Sequence, residues 1–126
     1  MNEQKNSRRL GLWKSGYALL LGVHAMLAVM PLPATALLTY GDKFAHALAY
    51  AVLWLGLKLL WPAACWRAAA GLLGYSLVIE LVQHFVPGRM LSLGDFIANA
   101  AGVVLAAALL KTEALQKLAA RIRTFI

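Results

Sequence analysis

The sequence predicts an all-α, polytopic membrane protein: a bundle of four transmembrane helices with a basic amphipathic C-terminal helix. Hydrophobic residues make up 62% of the 126 residues and charged residues 13%, whereas soluble domains have roughly 45–50% and about a quarter. No charged residue occurs between Lys14 and Asp42, an interval longer than the roughly 20 residues of a spanning helix. The length fits a single domain over residues 1–126.

The first two predicted helices cover residues 13–32 and 43–61, and each ends at proline, a residue that stops helices. A basic segment precedes the first helix and Ala34-Thr35-Ala36 follows it, so a cleaved signal peptide is the alternative interpretation. We expect the first helix to be retained, because the apolar segments that follow give it partners in the membrane.

The third and fourth predicted helices cover residues 66–86 and 94–111, separated by a loop that contains Pro87-Gly88. The fourth is short, on the order of 25–27 Å at about 1.5 Å per residue. In the tail, residues 112–126, Leu115, Leu118 and Ile122 recur at helical spacing while the basic residues lie largely elsewhere on the wheel. Such a helix lies on a membrane surface; a solvated continuation of the fourth helix is the alternative.

The basic residues indicate the orientation. Ten of the twelve Lys and Arg fall in the N-terminal segment, around the loop between the second and third helices, or in the tail, and only Lys43 and Arg89 fall at the opposite helix ends. The positive-inside rule therefore places both termini in the cytoplasm of a bacterial cell, with the chain in the inner membrane. The net charge of +7 is then explained without a nucleic-acid partner.

Polar residues gather at the non-cytoplasmic ends of three segments. His46 and Tyr50 follow Asp42 at i+4 and i+8, which places the three on one helix face. Polar residues of the third helix and of the start of the fourth lie at the same depth in the membrane. The candidate acids and bases are Asp42, His46, Glu80 and Asp95, and the candidate binding residues are Lys43, Tyr50, Gln83, His84, Arg89, Ser92 and Asn99.

Ionisable groups at the centre of a bilayer cost about 2.5–3.5 kcal/mol on insertion scales, and they normally face the bundle interior and pair. Arg89 is the expected partner of Glu80 or Asp95, because its planar guanidinium suits a carboxylate. Ala98, Gly102 and Ala106 recur every four residues, a spacing that lets another helix approach closely.

Three segments resemble the motifs of the VanZ-like family: DKFAHALAY from Asp42, ELVQHFVPGR from Glu80 and DFIANAAG from Asp95. They occur in the family's order, and the resemblance covers about residues 42–108; Ala106 stands where the family often has a second glycine. The resemblance implies a small bacterial membrane protein, and the founding member is linked to lowered susceptibility to the glycopeptide teicoplanin. It names a family without naming a reaction, so the resemblance points to no demonstrated activity, and binding and catalysis stay open as alternatives.

Two functional hypotheses carry most weight. In the first, the polar residues form an outer-leaflet site that binds, or modifies, an amphiphilic envelope component or lipophilic drug, with Arg89 holding an anionic headgroup. In the second, the same residues only brace the bundle, and function lies in contacts with another membrane protein or a second copy of the chain.

A metal site is a weaker third hypothesis, resting on His46 beside Asp42 and His84 beside Glu80 at i,i+4 spacing. We therefore expect no metal and no cofactor. A nucleophilic role for Ser92 is weaker than a role at the start of the fourth helix.

Overall fold

The computed structural model describes residues 2–31, 39–64 and 66–126. Within these ranges it contains five helices and no strand: α1 (Asn2–Val29), α2 (Thr39–Leu60), α3 (Trp66–Gln83), α4 (Leu93–Leu109) and α5 (Glu113–Arg123). The all-α prediction is therefore confirmed. The predicted end of the first helix at Leu32, the possible cleavage segment Ala34-Thr35-Ala36 and Cys65 lie outside the described residues.

Several helix ends differ from the sequence-based bounds: α2 begins at Thr39 rather than at residue 43, α4 ends at Leu109 rather than at residue 111, and two further differences bear on the site. Helix α1 begins at Asn2 rather than near residue 13, so the basic N-terminal segment continues the apolar helix. Helix α3 ends at Gln83 rather than residue 86, and the chain then passes through Gly88, whose φ of 81° is a conformation that glycine adopts without steric cost. Ser92 caps α4, because its Oγ accepts a hydrogen bond from the Asp95 backbone N–H at 3.3 Å.

Two helices are long and apolar enough to cross a membrane, over Asn6–Val29 in α1 and Gly41–Leu60 in α2. Helix α3 has 18 residues but includes Arg67, Glu80 and Gln83, and α4 has only 17. Taken together, α4 and α5 are long and apolar enough for one further span, although a 90° bend separates them. Length and composition thus give two to three candidate spans in the described chain, rather than clearly the four expected.

The distribution of side chains is that of a membrane protein. Large apolar side chains, among them Phe44, Leu48 and Val104, are exposed on the outer faces of the helices, and contiguous apolar surface of this kind marks contact with lipid or protein. The buried side chains include several polar ones, which are Ser76, Glu80, Gln83, Asp95 and Asn99. The interior therefore holds polar side chains while many large apolar side chains face outward.

Helix α2 is the centre of the packing, and its Tyr50, Leu53 and Trp54 join a core completed by Leu72, Val103 and Ala106. Helix α4 crosses α2 where Gly102 meets Ala47, and a Cβ atom on Gly102 would overlap the Ala47 carbonyl oxygen. The predicted close approach along the small-residue face of α4 is confirmed at this glycine. This contact between Gly102 and Ala47 brings the polar first turns of α2 and α4 close together.

Candidate functional site

The first turns of α2 and α4 are joined by an ion pair. Lys43 Nζ lies 2.9 Å from Asp95 Oδ1, and Asp95 is only 8% exposed. The sequence analysis expected Arg89 to pair with Asp95 or Glu80. Instead, Arg89 Nη2 donates a hydrogen bond to the Met30 carbonyl oxygen at 3.3 Å. The Lys43–Asp95 pair follows from the close approach of α4 to α2, because both side chains lie one to two turns above the Gly102 contact.

A chain of hydrogen bonds connects three helices directly below this ion pair. Asn99 Nδ2 donates to Ser76 Oγ at 2.7 Å, and His46 Nδ1 lies 3.1 Å from Asn99 Oδ1. Because the Asn99 amide already uses its nitrogen toward Ser76, its oxygen is the acceptor that faces His46. The His46 ring therefore carries a hydrogen on Nδ1, and in the neutral imidazole Nε2 keeps its lone pair.

His46 Nε2 points between two carboxylates. It lies 3.9 Å from Asp42 Oδ1 on its own helix and 3.9 Å from Asp95 Oδ2 on α4. These separations are too long for hydrogen bonds but within the range of strong electrostatic interaction. One imidazole and two carboxylates thus surround a small space at the helix ends, a composition suited to proton transfer or to cation binding.

Glu80 is buried close to this group. It is 2% exposed, and neither carboxylate oxygen has a hydrogen-bond partner among the described residues. Asp95, His46 and Asp42 are near enough to interact with it electrostatically, and the Ser92 backbone N–H is nearby without meeting hydrogen-bond geometry. Burying a carboxyl group that has no hydrogen-bond partner is costly, and no described side chain offsets this cost for Glu80 with a hydrogen bond.

A cleft of about 180 Å³ opens beside His46, between α1, α2 and the end of α3. Its walls are partly apolar, with Leu27 and Ala28 from α1 and Ala45 from α2. Its polar lining consists of His24, Asp42, His46, Gln83 and Arg89. Gln83 is fixed by donating to the Ala28 carbonyl oxygen at 2.6 Å, whereas Arg89 Nε is buried with no hydrogen-bond partner in the described chain.

Three of the predicted site residues lie apart from the cluster or take a structural role. His84 is exposed and contacts Phe85 edge to face, so it does not form the predicted pair with Glu80. Tyr50 is buried in the core and packs edge to face against His24. Ser92 acts as the cap of α4.

Sequence reasoning missed two participants. Ser76 anchors Asn99, and its position four residues before Glu80 on α3 is the signal that could have identified it. His24 is not among the predicted candidates, yet it lines the cleft, and its Nδ1 lies 2.9 Å from Tyr75 Oη. No sequence pattern connects α1 to the other helices, so only the fold could reveal this.

Comparison with known proteins identifies the family. A family model described as VanZ/LLP1 matches residues 4–116, which is most of the 126-residue chain. The chain belongs to the VanZ/LLP1 family. The resemblance drawn from the three motifs is confirmed, and the VanZ/LLP1 match extends beyond residues 42–108 to include most of α1 and the start of α5.

No curated protein and no solved structure matched the chain. VanZ/LLP1 membership, together with the apolar helices, supports a membrane protein. It does not specify a ligand or a reaction, so those are inferred from the site itself.

Proposed function

We propose that this VanZ/LLP1 protein binds the polar headgroup of an amphiphilic envelope component in the cleft beside His46. The observation that carries the proposal is the cleft's position: polar side chains line an opening between helices whose outer faces are apolar. An amphiphile fits such a place because its headgroup can enter the cleft while its chains stay in lipid. A lipophilic glycopeptide of the teicoplanin type is one ligand of this class.

The lining suggests how a headgroup is held. Arg89 has an unpartnered Nε at the cleft and suits a phosphate or carboxylate. Asp42 and His46 can accept hydrogen bonds from hydroxyl or amino groups on the same ligand. His46 can also take up a proton, which gives the site the means for acid–base chemistry if the bound ligand is modified.

The proposal includes a topology of four spans in the bacterial inner membrane, with both termini cytoplasmic. Helices α3 and α4 are short, but they bury Glu80, Asp95 and Asn99 in one polar interior with α2. Ten of the twelve basic residues lie toward the cytoplasmic side of this arrangement.

Cysteine labelling in intact cells tests the topology. In a Cys65→Ser background, Ala63→Cys in the α2–α3 connection should be protected from a membrane-impermeant maleimide, and Met90→Cys should react. Both residues are exposed, Met90 by 84%. The reverse pattern, or labelling of both from outside, contradicts the proposed orientation.

Native mass spectrometry tests headgroup binding. The purified protein is mixed with a total phospholipid extract of its host or with teicoplanin, and Arg89→Gln is compared with Arg121→Gln on exposed α5. Loss of a charge-assisted contact costs about 1.5–3 kcal/mol, so Arg89→Gln should weaken the relevant adduct at least about tenfold. Identical adducts for both variants contradict the proposal.

A second function is favoured by the internal hydrogen bonds. The Lys43–Asp95 pair and the His46–Asn99–Ser76 chain are satisfied within the protein, which also fits a bracing role in a protein that acts through another membrane protein or a second copy of itself. Under that alternative, Glu80→Gln lowers protein abundance and melting temperature, and deletion of the gene leaves envelope lipids and teicoplanin susceptibility unchanged.

A further inference from the structure

Three potential metal ligands converge at the first turns of α2 and α4. One ligand atom each from Asp42, His46 and Asp95 lies within 4.8 Å of the others. Asp42 and His46 are one turn apart on the same face of α2, and α4 supplies Asp95. Zinc sites with three protein ligands of this type keep a fourth position open for water or substrate.

The orientation of His46 is a second observation, independent of the two carboxylates. Its Nδ1 is held by Asn99 Oδ1 at 3.1 Å, and Asn99 is in turn fixed by Ser76 at 2.7 Å. Histidines that bind metals almost always donate their other ring N–H to such a partner, which fixes the tautomer and the ring. Here the hydrogen bond to Asn99 leaves the Nε2 lone pair of His46 facing the space between Asp42 and Asp95.

A buried polar side chain without a partner is the third observation. Glu80 is 2% exposed, and neither of its carboxylate oxygens has a hydrogen-bond partner in the described structure. A buried polar group of this kind is costly unless something satisfies it. Lys43 occupies only Oδ1 of Asp95, so a cation between Asp42, His46 and Asp95 would place further positive charge beside these carboxyl groups.

We propose that Asp42, His46 and Asp95 bind one divalent transition-metal ion. Asp95 uses Oδ1 for Lys43 and has Oδ2 available for the ion. One imidazole with two carboxylates suits Zn²⁺ or Mn²⁺ better than Ca²⁺ or Mg²⁺. Ligands at about 2.0–2.2 Å in a tetrahedron stand about 3.3–3.6 Å apart, so the observed 3.9 Å separations close by small side-chain rotations.

Metal binding is measured on the full chain, purified in detergent through a histidine-free tag and stripped with a chelator. Equilibrium dialysis against Zn²⁺ or Mn²⁺, followed by elemental analysis, should give one ion per chain. His46→Gln should weaken binding at least tenfold. The same substitution at exposed His84, which lies outside the site, should leave the affinity unchanged.

Asp42→Asn keeps the test independent of folding, because Asp42 is partly exposed and approaches His46 no closer than 3.9 Å, without a hydrogen bond among the described residues. It should weaken binding at least tenfold at an unchanged melting temperature, while Glu113→Gln on α5 should change neither. Absence of a bound ion overturns the proposal, as does wild-type affinity in both site variants or an equal loss in His84→Gln. The assay contains no lipid, so its outcome is separate from headgroup binding.

Discussion

The contact between α2 and α4 differs in kind from the contacts that α1 makes with its neighbours. Between α2 and α4, side chains meet side chains, and Gly102 packs directly on the Ala47 backbone. Around α1, most polar contacts run from a side chain to a backbone carbonyl oxygen. Tyr17 of α1 donates to Leu53 of α2 at 2.9 Å, and Tyr75 and Gln83 of α3 donate to Leu21 and Ala28 of α1 at 2.8 and 2.6 Å. Arg89 donates to Met30, just beyond α1, at 3.3 Å.

This difference explains why one interface carries recognisable motifs and the other does not. A side-chain pair requires a particular residue on both helices, whereas any residue offers a backbone carbonyl. The α2–α4 interface therefore imposes a sequence pattern on both partners. It also fixes the polar residues rigidly, while α1 forms the wall of the cleft with fewer demands on its own sequence.

The largest expected effect comes from closing the gap between α2 and α4. Gly102→Ala places a Cβ against the Ala47 carbonyl oxygen, and because the obstacle is backbone, we expect a loss of about 2–3 kcal/mol in unfolding free energy. Gly71→Ala is the matched control on α3, since a Cβ there meets nothing within 4 Å. Denaturation in mixed micelles measures both, and equal effects would refute the special role of the α2–α4 contact.

A smaller loss should follow from cutting the hydrogen-bond chain at its centre. Asn99→Ala removes the partners of His46 and Ser76, and interhelical hydrogen bonds in membrane proteins contribute about 0.6 kcal/mol on average and up to about 1.7. We expect about 1–2 kcal/mol in the same denaturation assay. Asn6→Ala, on an exposed face of α1, serves as the control and should lie near zero. No loss in Asn99→Ala indicates that the chain does not stabilise the bundle.

The contacts of α1 with α2 and α3 should yield the smallest effects. Tyr17→Phe removes one hydrogen bond to the Leu53 carbonyl oxygen and should cost about 0.5–1 kcal/mol. Tyr75→Phe removes a bond to Leu21 and the contact with His24, so it should cost somewhat more. A loss in either tyrosine variant that equals or exceeds that of Gly102→Ala would contradict the proposed ranking of the interfaces.

The sequence was most informative where spacing along a helix fixes a face. Asp42 and His46, and likewise Asp95 and Asn99, are four residues apart, and the structure brings these pairs together. The partner of Asp95 could not be predicted, because Lys43 reaches it only at the helix register set by Gly102 and Ala47. The sequence did not predict the helical conformation of residues 2–12, because their polar character indicated a segment outside the membrane.

The most direct test of the binding site is one sample of Asp42→Asn, measured for lipid or teicoplanin adducts by native mass spectrometry and for melting temperature. Asp42 lines the cleft but makes no hydrogen bond within the described residues. If the polar residues form a ligand site, the adduct weakens at least about tenfold and the melting temperature stays within about 1 °C of wild type. A lowered melting temperature with the adduct retained would contradict the account and support a bracing role.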